Sequence, residues 1–181
     1  MMIRRRTVVT ALVVHAAALP LHAIGQEAPI KAPNVVVISP LLTTSGQPSA
    51  AALAALGSLG YAGVIYLAPL TVPDAVPGEA DILQRQGLAF TNIPIRFNNP
   101  TEQDFEAFAA ALAALQGKKV LVHCQVNMRA SSMTFLHRVI VGKEPPELAY
   151  EAVSRVWTPD GVWKRLIVTV LRKHGHAFEP Y

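Results

Sequence analysis

The chain has 181 residues, of which 51% are hydrophobic and 15% charged, enough for one domain with a proper core. Its 16 lysines and arginines against 12 acidic residues give a formal net charge of +4. Three of the arginines stand at positions 4–6, and without them the balance is 13 basic against 12 acidic residues. The rest of the chain has no basic run interleaved with aromatic residues, which excludes nucleic acid as a partner.

The first residues predict an export signal. Arginines at 4–6 precede an apolar stretch over 7–21, and small residues follow at Ala23 and Gly25. This order is typical of a secretory signal peptide cleaved after one of those two residues. The apolar stretch is short and contains Pro20 and histidines, so uncleaved membrane anchoring is the less favoured alternative. We therefore expect a signal peptide at 1–25, a linker at 26–33, a single domain at 34–181, and a periplasmic or secreted protein without membrane contact after cleavage.

Beyond the leader, apolar β-branched runs alternate with helical patterns. This favours a single α/β domain with a central, mainly parallel sheet of four or five strands flanked by helices. The predicted strands are Asn34–Ile38, Gly63–Tyr66, Ala89–Ile93 and Lys119–His123. The predicted helices are Ser49–Leu59, Glu79–Gln86, Thr101–Gln116, Met128–Val141, Pro146–Val156 and Pro159–Lys173. The pattern leaves the oligomeric state open.

Two helix starts carry recognisable capping residues. Thr101 is expected to cap its helix, with acidic residues in the first turn. Thr158 is expected as the N-cap of the last helix, with Pro159 at its first helical position. The longest irregular stretch, Leu67–Gly78, contains three prolines and is a candidate rim over a site.

The strongest functional signal surrounds the only cysteine. The strand that ends at His123 places Cys124 in a short loop, and Arg129 follows at the start of a helix. Unpaired N–H groups and the dipole at a helix N-terminus favour bound anions and the thiolate form of a cysteine. A guanidinium there can pair bidentately with phosphate or sulfate oxygens. A single cysteine is more often a small buried hydrophobe, but the combination here predicts an anion site.

Four segments together resemble a known family. They are Thr44–Ser49, Gly60–Ile65, Asn99–Thr101 with Asp104 and Phe105, and the cysteine loop. Over Pro33–Val141 the chain resembles the bacterial branch of cysteine-dependent phosphatases that is related to dual-specificity protein tyrosine phosphatases and called beta-lactamase-hydrolase-like. The resemblance implies hydrolysis of phosphotyrosine or another phosphoester, in a phosphorylated small molecule or a phosphoprotein, through a phosphocysteine intermediate and without cofactor or metal.

The resemblance also implies roles for individual residues. Cys124 would be the nucleophile and Arg129 the phosphate clamp. His123 would orient the loop, and Ser131 would stabilise the thiolate as a leaving group. The remaining candidate substrate-binding residues are Gln125, Val126, Asn127, Met128, Ala130 and Gln47. For Gln47, which precedes Pro48 at a helix start, a role in the capping turn is an equal alternative.

Three departures from the common phosphatase pattern are visible. Four residues separate Cys124 from Arg129 where five are usual, a spacing shared with the bacterial branch and with rhodanese-type sulfurtransferases. Asn127 replaces a loop glycine, and asparagine tolerates left-handed backbone better than other side chains. The segment that carries an aspartate general acid in relatives has Arg96 instead. We expect Asp104 to serve as the acid, with Glu102 as the alternative, although both also suit a first helical turn.

Other functions stay open at this point. A rhodanese-like sulfurtransferase would carry a persulfide on Cys124, and a non-catalytic pseudophosphatase would bind phosphate or another anion without turnover. Trp157–Asp160 resembles the acid loop of tyrosine phosphatases, but it follows the cysteine, and helix capping explains it. His174 and His176 have no third ligand in view, so no metal site is expected.

Overall fold

The computed structural model describes residues 30–181. The expected signal peptide at 1–25 and the start of the linker lie outside the described residues. The elements, in chain order, are β1 (Val36–Ser39), β2 (Leu42–Ser45), α1 (Ala50–Ala54), β3 (Gly63–Tyr66), α2 (Glu79–Gln84), β4 (Ala89–Asn92), α3 (Glu102–Ala113), β5 (Val120–His123), α4 (Met128–Ile140), α5 (Pro146–Ser154) and α6 (Gly161–Lys173). Over the described range, none of these helices has the length and apolar character needed to cross a membrane.

The sheet has five strands in the order β1-β2-β5-β3-β4. Strands β2, β5, β3 and β4 run parallel, and only β1 pairs antiparallel, with β2. The central strand β5 is buried at all four positions, which is why its sequence is an unbroken β-branched and apolar run up to His123. The predicted single α/β domain with a mainly parallel sheet is confirmed. In such sheets ligands bind beyond the carboxyl ends of the strands, and here that edge carries Cys124.

Strand β2 was not among the predicted strands because its sequence, Leu-Thr-Thr-Ser, is mostly polar. Thr43, Thr44 and Ser45 are nevertheless buried, and each hydroxyl has a partner. Thr43 Oγ1 accepts a hydrogen bond from the Tyr61 hydroxyl at 2.9 Å, and Thr44 Oγ1 accepts one from Asn127 Nδ2 at 3.0 Å. Ser45 Oγ donates to the carbonyl of Gly46 at 2.7 Å. Buried polar groups are tolerated when they are paired in this way.

Helices cover both faces of the sheet. Side chains alternate between faces along each strand: Val64 and Leu121 pack with α1 and α2, and Ile65 and Val122 pack with the helices of the other face. Helix α4 lies at the centre of that second layer, against β2, β5, α3, α5 and α6. It is buried along most of its length, so the loop before it starts from a rigid core.

Two of the differences between the predicted and the observed helix boundaries have a visible cause. Helix α1 ends at Ala54 instead of Leu59. The Gln86 side chain binds the backbone at this end of the helix: Gln86 Nε2 donates to the Leu53 carbonyl at 3.0 Å, and Gln86 Oε1 accepts from Gly57 N at 2.9 Å. The expectation for the last helix, with Thr158 as N-cap and Pro159 as the first residue, was wrong. Helix α6 begins at Gly161 with Asp160 as N-cap.

The start of α6 is fixed by backbone hydrogen bonds. The carbonyl of Asp160 accepts from the N–H groups of Trp163 and Lys164, both at 3.0 Å. In addition, Trp163 Nε1 donates to the carbonyl of Phe97 at 2.8 Å. This tertiary bond ties α6 to the segment before α3, a contact that capping preferences alone do not reveal.

Candidate active site

The candidate site is the loop between β5 and α4. Cys124 follows directly on β5, its side chain is fully buried, and its N–H donates to the carbonyl of Ser45 at 3.2 Å. Arg129, separated from Cys124 by four residues, lies in the first turn of α4. The first N–H groups of a helix have no intrahelical partner and point toward its N-terminal end. The cysteine and these donors therefore lie at the same end of α4.

The loop takes its shape from Asn127. This residue has φ of 73°, in the left-handed region, as expected for an asparagine in place of glycine. Its Nδ2 donates to the carbonyl of Asn34 at 2.6 Å and to Thr44 Oγ1 at 3.0 Å, while Asn34 Nδ2 donates to the Val126 carbonyl at 2.9 Å. The side chain thus anchors the loop to β2 and to the chain before β1, which a glycine could not do.

Gly46 supports the loop from the other side. Gln47 N donates to the carbonyl of Gln125 at 2.9 Å, and Gly46 N donates to the carbonyl of Pro33 at 2.7 Å. A Cβ at position 46 would lie 2.7 Å from the Gln125 carbonyl oxygen and 2.8 Å from Pro33 Cβ. Glycine is required here because two other chain segments approach its backbone this closely.

The side chain of Arg129 is buried and held at several points. Its Nε donates to the carbonyl of Ile95 at 3.1 Å, and its Nη1 donates to Gln125 Oε1 at 3.3 Å. The guanidinium carbon lies 5.1 Å from the centre of the Phe97 ring, within the range of a cation–π contact. The segment before α3 that contains Ile95 and Phe97 therefore holds the guanidinium in place.

A chain of buried polar side chains lies behind Cys124. His123 Nε2 is 2.7 Å from Glu79 Oε1, and Gln47 Nε2 donates to Glu79 Oε2 at 2.9 Å. The His123 and Glu79 side chains are almost fully buried. The Tyr66 ring stacks on His123 with centres 4.5 Å apart, and burial, together with the nearby Glu79 charge, raises the pKa of Tyr66 above its usual range. The Tyr66 phenol is thus neutral, and His123 is fixed in orientation by a carboxylate and a ring.

Gln47 was predicted to reach the pocket or to serve in the capping turn. In the structure Ser49 is the N-cap of α1, with its side chain accepting from Ala52 N. The Gln47 side chain binds Glu79, the residue that holds His123, and Gln47 also lines the cleft beside the loop. Glu79 itself was missed in the sequence, because an acidic residue at the start of a predicted helix has an ordinary explanation in the helix dipole.

We predict that Glu79→Ala lowers the free energy of unfolding by about 1–3 kcal/mol, because it leaves buried donors of His123 and Gln47 without an acceptor. Glu79→Gln, which keeps an acceptor oxygen, should retain most of the stability. Urea unfolding monitored by fluorescence measures the difference, with Glu151→Ala on the exposed face of α5 as the control. An unfolding midpoint unchanged in Glu79→Ala would show that the pair has no structural role.

The acid expected from the sequence is engaged elsewhere. Asp104 Oδ2 accepts from Thr101 N and Thr101 Oγ1, both at 2.8 Å, and Thr101 Oγ1 in turn accepts from Asp104 N, which forms a capping box. Glu102 pairs with Lys173 of α6. Asp104 has its partners within the first turn of α3 and Glu102 has its partner in α6, which agrees with the first-turn alternative to the acid role.

The other predicted residues divide into two groups. Gln125 and the exposed Val126 face an open cleft of about 460 Å³ that Gln47, Asp74, Val76 and Lys31 also line. Ala130 and Ser131 are buried in the first turns of α4, where Ser131 Oγ donates to the Met128 carbonyl at 3.2 Å. No group of three or more histidine, cysteine or acidic side chains suited to a metal ion occurs between residues 30 and 181.

Fold and loop together define a class: an α/β domain in which a cysteine and an arginine flank the loop between a parallel strand and a helix start. A DUF442-family protein of Shewanella putrefaciens CN-32, described as a candidate phosphatase, has 32% identical residues and a TM-score of 0.73, with 80% of this chain and 93% of that chain covered. The chain therefore belongs to this DUF442 family.

The chain is also similar to two further proteins. The chain is 35% identical over 113 residues, 61% of its length, to the beta-lactamase hydrolase-like protein of Xylella fastidiosa, and spans only 26% of that relative. The kinase-associated phosphatase shares the fold alone, at 16% identity and a TM-score of 0.65, over 84% of this chain and all of that one. No protein-family model matches the chain.

Proposed function

We propose that this protein is an exported, cysteine-dependent phosphatase that hydrolyses phosphotyrosine or another phosphoester through a phosphocysteine intermediate. One observation carries the proposal: the guanidinium of Arg129 is fixed by Ile95, Gln125 and Phe97 at the helix end where Cys124 lies. A phosphate dianion repels a nucleophile, so its charge must be neutralised by donors placed in advance. The loop amides and the arginine fork would supply those donors.

In this mechanism the substrate phosphate lies in the loop with its oxygens on backbone N–H groups and on Arg129. The Cys124 thiolate attacks phosphorus in line, the S–P bond forms, and the bond to the leaving oxygen breaks. Water then attacks the phosphocysteine and releases inorganic phosphate and the thiolate. Glu79, through His123, would keep the strand end and the cysteine in position for both steps.

The direct test measures turnover of p-nitrophenyl phosphate and of a phosphotyrosine peptide by the purified protein. A parallel assay with thiosulfate and cyanide measures formation of thiocyanate. We expect phosphate release and no thiocyanate. Thiocyanate formation would instead identify a rhodanese-like sulfurtransferase, which the short loop also fits. Binding of phosphate without turnover of either ester would identify a non-catalytic pseudophosphatase. Either of these two results would reject the proposal.

Export is the part of the proposal that rests on the sequence alone. The arginines at 4–6, the apolar stretch over 7–21 and the small residues Ala23 and Gly25 support it. We expect the protein in the periplasmic or secreted fraction, with a mature N-terminus after Ala23 or Gly25. N-terminal sequencing of the fractionated protein measures both, and an intact Met1 in the cytoplasmic fraction would contradict export.

A further inference from the structure

A carboxylate outside the expected segment lies at the edge of the phosphate-binding loop. Asp74 belongs to the connection between β3 and α2, residues 67–78, which leaves the sheet beside the end of β5. Its Oδ1 accepts a hydrogen bond from Gln125 Nε2 at 2.7 Å. Gln125 follows Cys124, and its Oε1 accepts from Arg129 Nη1 at 3.3 Å. A single side chain therefore links Asp74 to the guanidinium.

Asp74 is exposed to solvent and lies on a constrained turn. Its side chain is exposed and lines the open cleft together with Gln125 and Val126. The preceding residue is Pro73, which restricts the backbone, and Ala75 N donates to the Val72 carbonyl at 3.1 Å. The carboxyl is thus held on a constrained turn beside Gln125 of the loop, and it is accessible to water.

The other carboxylates around the site are engaged in different ways. Glu79 is buried and binds His123 and Gln47. Asp104 closes a capping box, and Glu102 pairs with Lys173. Asp74 differs from these three carboxylates: it contacts a side chain of the loop, and it is exposed to the cleft. General acid catalysis requires both a group within reach of the leaving oxygen and a route for its proton.

We propose that Asp74 is the general acid of the phosphatase, an inference that rests on the proposed function. As Cys124 attacks and the P–O bond breaks, the Asp74 carboxyl gives its proton to the leaving oxygen and becomes a carboxylate. In the second step that carboxylate accepts a proton from the attacking water as the P–S bond breaks. The product is inorganic phosphate, Cys124 leaves as the thiolate, and Asp74 is protonated again.

The test is Asp74→Asn, which keeps the size of the side chain and an acceptor for Gln125 but has no proton to give. On phosphotyrosine, whose phenol leaving group has a pKa near 10, we expect kcat/KM to fall about 100-fold, at the lower end for loss of a general acid. On p-nitrophenyl phosphate, whose leaving group needs little protonation, we expect a loss below about fivefold. Asp81→Asn, an exposed carboxylate on α2, is the matched control and should leave both substrates unchanged.

Equal losses on the two substrates, or no loss on either, would overturn the role of Asp74. The role would also be overturned if Asp104→Asn, and not Asp74→Asn, lowered kcat/KM much more on phosphotyrosine than on p-nitrophenyl phosphate. In each of these cases the proposed function would still hold, provided that the wild-type protein turns over the esters and Cys124→Ser does not. A wild-type chain that hydrolyses neither ester would reject the proposed function and the acid together.

Discussion

Cys124→Ser is expected to reduce kcat for p-nitrophenyl phosphate by on the order of 10⁴-fold or more, the scale seen when an enzyme loses its nucleophile. A serine hydroxyl is not ionised near neutral pH and cannot replace a thiolate. The substitution is nearly isosteric at a fully buried position, so the fold and the loop should be retained. Steady-state kinetics of the two proteins at equal concentration measures the effect.

The control for Cys124→Ser is binding. Inorganic phosphate should still bind, because the donors of the loop and Arg129 are unchanged, and calorimetry can compare its dissociation constant with that of the wild type. A serine variant that keeps turnover within tenfold of the wild type would show that another group attacks phosphorus. Loss of phosphate binding and of the folded state together would show a structural role for the cysteine instead.

Arg129→Lys is expected to lower kcat/KM for a phosphoester by at least roughly 100-fold. This is the effect of losing one preorganised donor that stabilises the charge developing in the transition state. Lysine keeps the positive charge, but it is a point charge without the planar fork. It also cannot reproduce the bonds that Nε makes to the Ile95 carbonyl and Nη1 to Gln125. Both the position of the charge and its pairing with two phosphate oxygens are lost.

The matched control is Arg155→Lys at the end of α5, an exposed arginine away from the loop. It should leave kcat/KM unchanged. If Arg129→Lys retains near-wild-type kcat/KM while its unfolding free energy falls, the arginine would be a structural residue that ties α4 to the segment before α3. A loss of kcat/KM with an unchanged unfolding midpoint would support the clamp.

The sequence predicted well the features that depend on neighbouring residues. The buried run of β5, the left-handed backbone of Asn127 and the threonine cap of α3 each follow from a short stretch of chain, and the structure confirms them. The placement of Cys124 and Arg129 at the start of α4 follows from the same local reasoning, since strand, loop and helix are consecutive.

The missed features depend on distant pairs. Strand β2 is polar, and its burial makes sense only with Tyr61 and Asn127 as partners. His123 and Glu79 are 44 residues apart, and no periodicity links them. Asp104 is a different case: the expected acid role came from the family resemblance, whereas its hydrogen bonds to Thr101 are local. Asp74 lies in an irregular, proline-containing stretch, where the sequence pattern gives no direction to a side chain.

The most direct measurement of the central claim is a rapid denaturing quench, at mildly alkaline pH where an S–P bond survives, of the enzyme during turnover of a radiolabelled phosphoester, followed by peptide mapping at the same pH. We expect phosphate bound covalently to the wild-type protein, on the peptide that contains Cys124, and no label on Cys124→Ser. Turnover without any covalent phosphate, or with the label on a residue other than Cys124, would contradict a cysteine-dependent phosphatase.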